Sequence, residues 1–340
     1  MKNKKLLIIG SIPKGLKDIG GVTVLTKNFL DFLDREKIKY SFLQLNKTGS
    51  NILNYLYTLI FSVPKILFSD IVVANMSNNS ALYVYPYICF WSKLFNKKVV
   101  FRKFGGNYDK TYNNCSGLKK KIIDYALKHS DLLLFESFYL VDFFKNRYPE
   151  VSVIRFPNCR IKGSVRTPET YNRKFVYIGS IKKEKGLREI LACSHQLDDS
   201  YTLDIYGPLD GNISVSDFQQ TNVSYKGLLK ADQVQDTLAL YDVLLLPTYY
   251  DGEGYPGIII EAFSVDMPVI TTRWNAIPEI VTDRYNGLVI PVKDEKALLK
   301  AIKEMDGIYH PLKENISPYF DENFNSDIVN PFILKRIMSC

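Results

Sequence analysis

The run Val243-Leu-Leu-Leu-Pro-Thr-Tyr-Tyr-Asp-Gly-Glu253-Gly-Tyr-Pro-Gly-Ile-Ile-Ile-Glu261 decides how this chain reads. Val243 to Pro247 is an uninterrupted apolar run of strand length. Asp251 to Gly257 is a glycine-rich loop, and Pro256 to Ser264 has the composition of a helix. Strand, glycine loop and helix in that order form the repeating unit of a parallel α/β sheet. Glycines let the backbone approach a ligand closely, and a helix start offers unpaired N–H groups to an anion. Glu253 in the loop and Glu261 two turns along the helix can face one pocket. An ionised carboxylate there accepts from the vicinal hydroxyls of a sugar or ribose. By themselves the two acids fit a capping acid plus a surface acid equally well.

Outward from this run the same alternation recurs. Towards the N-terminus, strands are expected at Lys5–Gly10, Tyr40–Leu45, Asp70–Asn75, Lys98–Phe104, Asp131–Glu136 and Val151–Arg155. Helices are expected at Val22–Leu33, at Asn51–Phe68 with an end near Pro64, at Ala81–Phe95, Lys119–His129 and Phe138–Arg147. The pattern breaks at Pro157-Asn158, and a second series follows from Phe175 to a helix over Lys293–Met305. The expectation is therefore an α/β protein of two Rossmann-like, doubly wound domains facing an interdomain cleft. The predicted boundaries are 1–158 for an N-terminal domain and 159–318 for a C-terminal domain. A terminal helix over 319–340 is expected to cross back to the first domain.

Length and composition agree with two globular cores: 340 residues, 46% hydrophobic and 24% charged. Five scattered cysteines, never in a CxxC pair, argue against a disulfide framework or zinc site and for a reducing compartment. The apolar run after Lys5 is too short for a signal peptide, and the stretches 52–68 and 81–95 are interrupted by Pro64, Lys65, Pro86 and Lys93. The net charge of +8 is divided unevenly: residues 1–160 hold 25 Lys and Arg against 11 Asp and Glu, whereas residues 161–340 hold 19 against 25. A basic, aromatic half suits an anionic membrane surface or a phosphate-bearing acceptor, and it also simply aids solubility.

The motifs around Glu253 and Glu261 resemble, in order, those of the retaining glycosyltransferases of family 4, which have the GT-B fold. Glu253 and Glu261 match the family's E-x7-E spacing. Glu261-Ala-Phe-Ser-Val-Asp-Met-Pro-Val-Ile270, Ile277-Pro-Glu-Ile-Val281 and Asn286-Gly-Leu-Val289 are similar to the elements that follow it. Upstream, Val176-Tyr-Ile-Gly-Ser-Ile-Lys-Lys-Glu-Lys-Gly186 is similar to the strand and loop that carry a diphosphate-binding Arg and Lys. The resemblance is dense over 174–292 and thinner before it. It implies that Glu261 binds the nucleotide ribose and Glu253 the donor sugar, assisted by backbone at Gly254 and Tyr255. It also implies that Gly179 and Ser180 line the donor site, that Lys185 neutralises the leaving diphosphate, and that Gly20-Gly21 contacts donor phosphate or acceptor.

Three departures stand out. Ser180 occupies the place of the family Arg, with Lys182 or Lys183 as the substitute charge. Asp266 replaces a Gly and reads as a turn residue. No His follows the strand ending near Phe104, where Arg102, Lys103, Asn107 and Asp109 are the polar candidates. Asp109 is the residue nominated as a general base, alongside Glu253 and Lys185 as catalytic groups. His129, His195 and His310 lie in no motif.

The implied activity moves a sugar from a nucleotide-diphosphate sugar to a glycan or polyprenyl-diphosphate-linked acceptor in surface polysaccharide or glycoconjugate biosynthesis. Retention without a cofactor or metal is implied as well. The expected place is cytoplasmic, peripheral on the inner membrane face, with no nucleic-acid partner. Two rival readings are a non-catalytic sugar-nucleotide-binding partner of another transferase and a nucleotide-sugar epimerase.

Overall fold

The structure is a computed structural model that describes residues 4–14, 21–48, 50–209, 218 and 222–340. The chain divides into two units, Met1–Pro157 with Val329–Cys340, and Asn158–Ile328.

In the first unit the strands are β1 (Leu6–Gly10), β2 (Tyr40–Gln44), β3 (Ile71–Met76), β4 (Lys98–Lys103), β5 (Leu132–Phe135) and β6 (Ser152–Arg155). They pair in parallel in the order β2-β1-β3-β4-β5-β6. Every residue of β1 and β3 is buried, which is why these strands read as near-continuous apolar runs, broken only by Asn75, rather than alternating ones. The helices are α1 (Gly21–Arg35), α2 (Asn51–Leu67), α3 (Asn78–Tyr83), α4 (Tyr85–Leu94), α5 (Tyr108–Asn113), α6 (Gly117–Lys128) and α7 (Phe138–Arg147).

Three details differ from the sequence expectation. Helix α2 continues past Pro64 to Leu67, because a proline in the last turn removes one N–H, and Phe68 N–H still reaches the Pro64 carbonyl at 3.3 Å. The stretch 81–95 is two helices parted at Val84; α3 starts on a Ser77–Ser80 capping box, and Pro86 sits in the first turn of α4. Helix α5 is additional.

The second unit repeats the plan with β7 (Lys174–Ile178), β8 (Thr202–Tyr206), β9 (Val223–Gly227), β10 (Val243–Leu246), β11 (Val269–Thr272) and β12 (Gly287–Ile290). These are parallel in the order β12-β11-β10-β7-β8-β9. Its helices are α8 (Leu187–Ser194), α9 (Val234–Leu238), α10 (Gly257–Phe263) and α11 (Glu295–Asn323), and α12 (Ser326–Met338) begins here. Helix α11 runs far beyond Met305, through Pro311 and Pro318. Its buried residues Leu298, Ile302, Met305, Tyr309, Leu312, Ile316 and Phe320 keep helical spacing throughout, so burial of one stripe outweighs the two lost N–H donors.

Asp266, which replaces the expected glycine, has φ +62°. That is a left-handed conformation which glycine adopts freely and Asp tolerates better than most residues. All five cysteines are free thiols. Among the described residues no helix is long and apolar enough to cross a membrane.

Candidate functional site

In the second unit, the chain leaves β7 towards β8 on one side and returns to β10 on the other. The strand order reverses between β7 and β10, and in open parallel sheets ligands bind outside the carboxyl ends at such a point. The loops that leave these two strands are 179–186 and 247–256, the two that the sequence motifs single out.

Close backbone contact locks the loops together. Gly186 has φ +81°, and a Cβ there would lie 2.2 Å from the Pro247 carbonyl oxygen. Tyr249 N–H donates to the Glu184 carbonyl at 2.8 Å. This contact brings Lys185 to Glu253, and the two side chains form an ion pair, 16% and 12% exposed. Glu253 is held further by its own N–H to Tyr250 O at 2.9 Å, and by Asn275, whose side-chain amide donates to Glu253 O at 2.7 Å. The Tyr250 ring, fixed by Trp274 Nε1 donating to its carbonyl at 2.9 Å, has Lys185 Nζ at 5.2 Å and Lys182 Nζ at 5.9 Å. Lys182 is thus the candidate substitute charge that shares the Tyr250 ring with Lys185. Lys183 instead lines a separate hollow of about 510 Å³ with Arg188, Tyr249 and Lys293.

Glu261 lies on α10 and accepts from Arg160 Nε at 2.7 Å. Arg160 Nη1 also donates to Asn158 Oδ1 and to the Cys159 carbonyl. The Arg160 main chain is pinned by its N–H to Phe324 O at 2.9 Å, and by Ser326 N–H donating to its carbonyl at 2.8 Å. The fit against the helix start is tight, since a Cβ on Gly257 would stand 2.6 Å from Arg160 Nη2. Arg160 is absent from the sequence-derived candidates; the only signal was its place just after the Pro157-Asn158 junction.

The remaining candidates fall as follows. Tyr255 is buried against Phe324, so its backbone is the part that can serve a ligand. The Gly179 N–H is engaged with Tyr206 O at 3.1 Å, and the Ser180 carbonyl accepts from the Tyr177 hydroxyl at 2.8 Å. Gly254 lies between Glu253 and Tyr255, partly exposed.

Asp109 and Gly21 belong to the first unit, apart from the residues just described. Asp109 is buried in the first turn of α5 and accepts from the Tyr139 hydroxyl at 3.0 Å. Gly21 opens α1 with open space where a Cβ would be; Gly20 lies outside the described residues. Of the other polar candidates, Arg102 is buried among the Phe29, Phe104 and Phe156 rings. Lys103 is buried too, and desolvation lowers its pKa to about 8 against the pull of Glu136. His129 stacks on Tyr125 at 4.0 Å. Among the described residues, no three His, Cys, Asp or Glu side chains gather as a metal site would require.

Residues 172–305 match the family model Glycosyl transferases group 1. The match contains Lys185, Glu253 and Glu261 but not Arg160. A Bacillus subtilis protein named as a glycosyltransferase of teichuronic acid biosynthesis is 28% identical over 183 residues, 49% of this chain and 46% of that protein. A Staphylococcus aureus capsular polysaccharide biosynthesis glycosyltransferase is 27% identical over 175 residues, 46% of this chain and 44% of that one. The chain thus spans about half the length of the curated relatives it matches. Among solved structures, HepE of Anabaena in complex with UDP superposes with a TM-score of 0.75 at 15% identity, covering 99% of this chain and 100% of that one. Sucrose-phosphate synthase of Thermosynechococcus elongatus gives a TM-score of 0.74 at 13% identity, covering 99% and 98%. At such identity the likeness shows the fold, which is the GT-B type of α/β architecture.

Proposed function

We propose that the chain is a glycosyltransferase that moves a sugar from a nucleotide-diphosphate sugar to a glycan or polyprenyl-diphosphate-linked acceptor. The observation that carries this reading is the pairing of Lys185 with Glu253 at the switch point of the second unit. Arg160 and Glu261 stand on the neighbouring helix. In this reading Glu261, steadied by Arg160 on one oxygen, accepts from the ribose hydroxyls. Glu253 accepts from the sugar, and Lys185 turns towards the diphosphate as negative charge builds on it. An ammonium on a flexible stem can follow that charge, and a fixed field of this kind is a large part of catalysis.

Retention follows if the departing diphosphate takes the acceptor's proton on the face it leaves, a route that needs neither a metal nor a protein nucleophile. Asp109 is kept as the base an inverting route would require. The names of the relatives, which belong to capsular and teichuronic acid biosynthesis, favour surface polysaccharide as the product class. The basic first 160 residues favour an acceptor presented at the inner face of the cell membrane.

A panel of UDP-, GDP- and other activated sugars, scored by thermal shift, tests the reading. A fitting donor at about a hundred times its dissociation constant should stabilise the chain by roughly 2–3 kcal/mol. Glu261→Ala should abolish the shift; a full shift in that variant overturns the ribose assignment. Donor binding without transfer to any acceptor, or epimerisation of the donor alone, overturns the transferase reading.

A further inference from the structure

Helix α2 turns a broad apolar face outward. Ile52, Leu56, Leu59, Ile60 and Leu67 fall at helical spacing on one face, and all are exposed, Ile52 at 72% and Ile60 at 65%. The opposite face buries Ile66 together with Thr58 and Ser62, two polar residues that a surface helix would normally turn outward. Phe68, at the end of the helix, is 73% exposed. A contiguous apolar surface of this kind marks an interaction site.

A hollow of about 840 Å³ opens at the C-terminal end of the same helix, all of it within the first unit. Pro64, Lys65 and Phe68 of the α2 end line it, together with Lys4, Lys5, Lys37 and Lys39. Lys4 is committed to the carbonyls of Met338 and Cys340. The ammonium groups of Lys5, Lys37, Lys39 and Lys65 make no ion pair among the described residues. Two acids stand nearby: Asp70, which accepts from the Lys5 backbone N–H at 2.7 Å, and Asp34, which holds the Tyr40 hydroxyl. Over residues 37–108 the sequence has nine Lys and Arg against that single Asp70.

We propose that α2 and this hollow form one docking site for an anionic lipid bilayer. The exposed apolar face of α2 enters the acyl boundary, and Lys5, Lys37, Lys39 and Lys65 take the phosphate of a lipid headgroup at its end. The charge pattern selects this occupant over a second copy of the chain, because self-pairing would bring the same lysines together without counter-charge. The site lies at the amino ends of β1 and β2, the end of the sheet away from the loops that follow the strands. Docking there therefore leaves those loops uncovered. The inference deepens the membrane-face reading above, and its test is independent of donor chemistry.

The test uses the whole chain with vesicles of phosphatidylcholine alone and of an equimolar phosphatidylcholine–phosphatidylglycerol mixture. The wild type should co-sediment with the anionic vesicles only. Leu56→Ser with Ile60→Ser and Leu67→Ser should lower the bound fraction about ten-fold while the thermal shift given by the donor is unchanged. Lys37→Gln with Lys39→Gln and Lys65→Gln should erase the preference for anionic lipid. Leu56→Trp should add, over the emission of the native Trp91 and Trp274 measured in the wild type, a blue-shifted component quenched by brominated acyl chains, which keeps the proposal testable if the serine variant does not fold. Equal sedimentation with both vesicle types, an unquenched tryptophan, or a wild-type dimer in solution that the serine variant dissolves would each overturn it.

Discussion

Arg160 and Glu261, 101 residues apart in the chain, are joined by an Nε to Oε1 hydrogen bond of 2.7 Å. The guanidinium is anchored to Asn158 and the Cys159 carbonyl as well, so it positions the carboxylate rather than following it. Arg160→Met should weaken donor binding by roughly 10- to 100-fold, the range expected on losing a hydrogen bond to a charged group. Arg160→Lys should recover little of this, because one ammonium cannot reproduce the fork. Calorimetric titration with the preferred donor checks both, and near-wild-type affinity in either variant would show that Glu261 needs no orienting partner.

Lys185 and Glu253 share one ion pair, so their effects should not add. Lys185→Ala and Glu253→Gln are each expected to lower the transfer rate by about 100-fold or more. The double variant should be far better than the product of the two losses. Single-turnover rates for the four proteins of this cycle measure the coupling; strict additivity would mean that the pair acts as two separate groups.

Gly186→Ala should destabilise the chain by more than about 1 kcal/mol, since its φ of +81° and its contact with Pro247 O both exclude a Cβ. Relief of the clash requires the Lys185 loop to withdraw from β10. Donor affinity should therefore fall along with the midpoint of urea unfolding, and a loss of stability with unchanged affinity would separate the loop from the site.

Asp266 ionises with difficulty in the folded chain: burial raises its pKa above the ordinary aspartate value, and Arg166, Lys162 and Lys313 offset this only in part. The unfolded chain therefore loses this proton first. Folding stability from this group falls as pH rises from about 4, the ordinary aspartate range, through the raised value. Asp266→Asn keeps a residue that tolerates positive φ and removes the charge. It should be more stable than wild type at neutral pH, with the difference vanishing in acid. Thermal melts across that range decide it, and a variant less stable at neutral pH would show that the Arg166 ion pair outweighs burial.

The two sheets were legible because parallel strands covered on both faces leave uninterrupted apolar runs, as in residues 71–74 and Val243–Leu246. Glu253, Glu261 and Lys185 stood out as candidates because the motifs around them resemble those of a known family, whereas the two acids alone fit a capping acid and a surface acid equally well. Arg160 was not, since nothing local marks a residue whose partner lies on a distant helix. The reach of α11 past Pro311 and Pro318 was obscured by a local rule, proline as helix breaker, that tertiary burial overrides. Helix α5 is six residues long, with two tyrosines among polar residues, too short for any period to declare itself.

The division of the chain has a bearing on how it is made. The first unit counts Val329–Cys340 among its residues, and Lys4 binds the carbonyls of Met338 and Cys340. During synthesis, everything from Asn158 to Ile328 emerges before those last residues do. The first unit must therefore wait, incomplete, while the second is translated. For that interval the α2 surface stands beside an unfinished fold, which makes the nascent chain a natural client for chaperones.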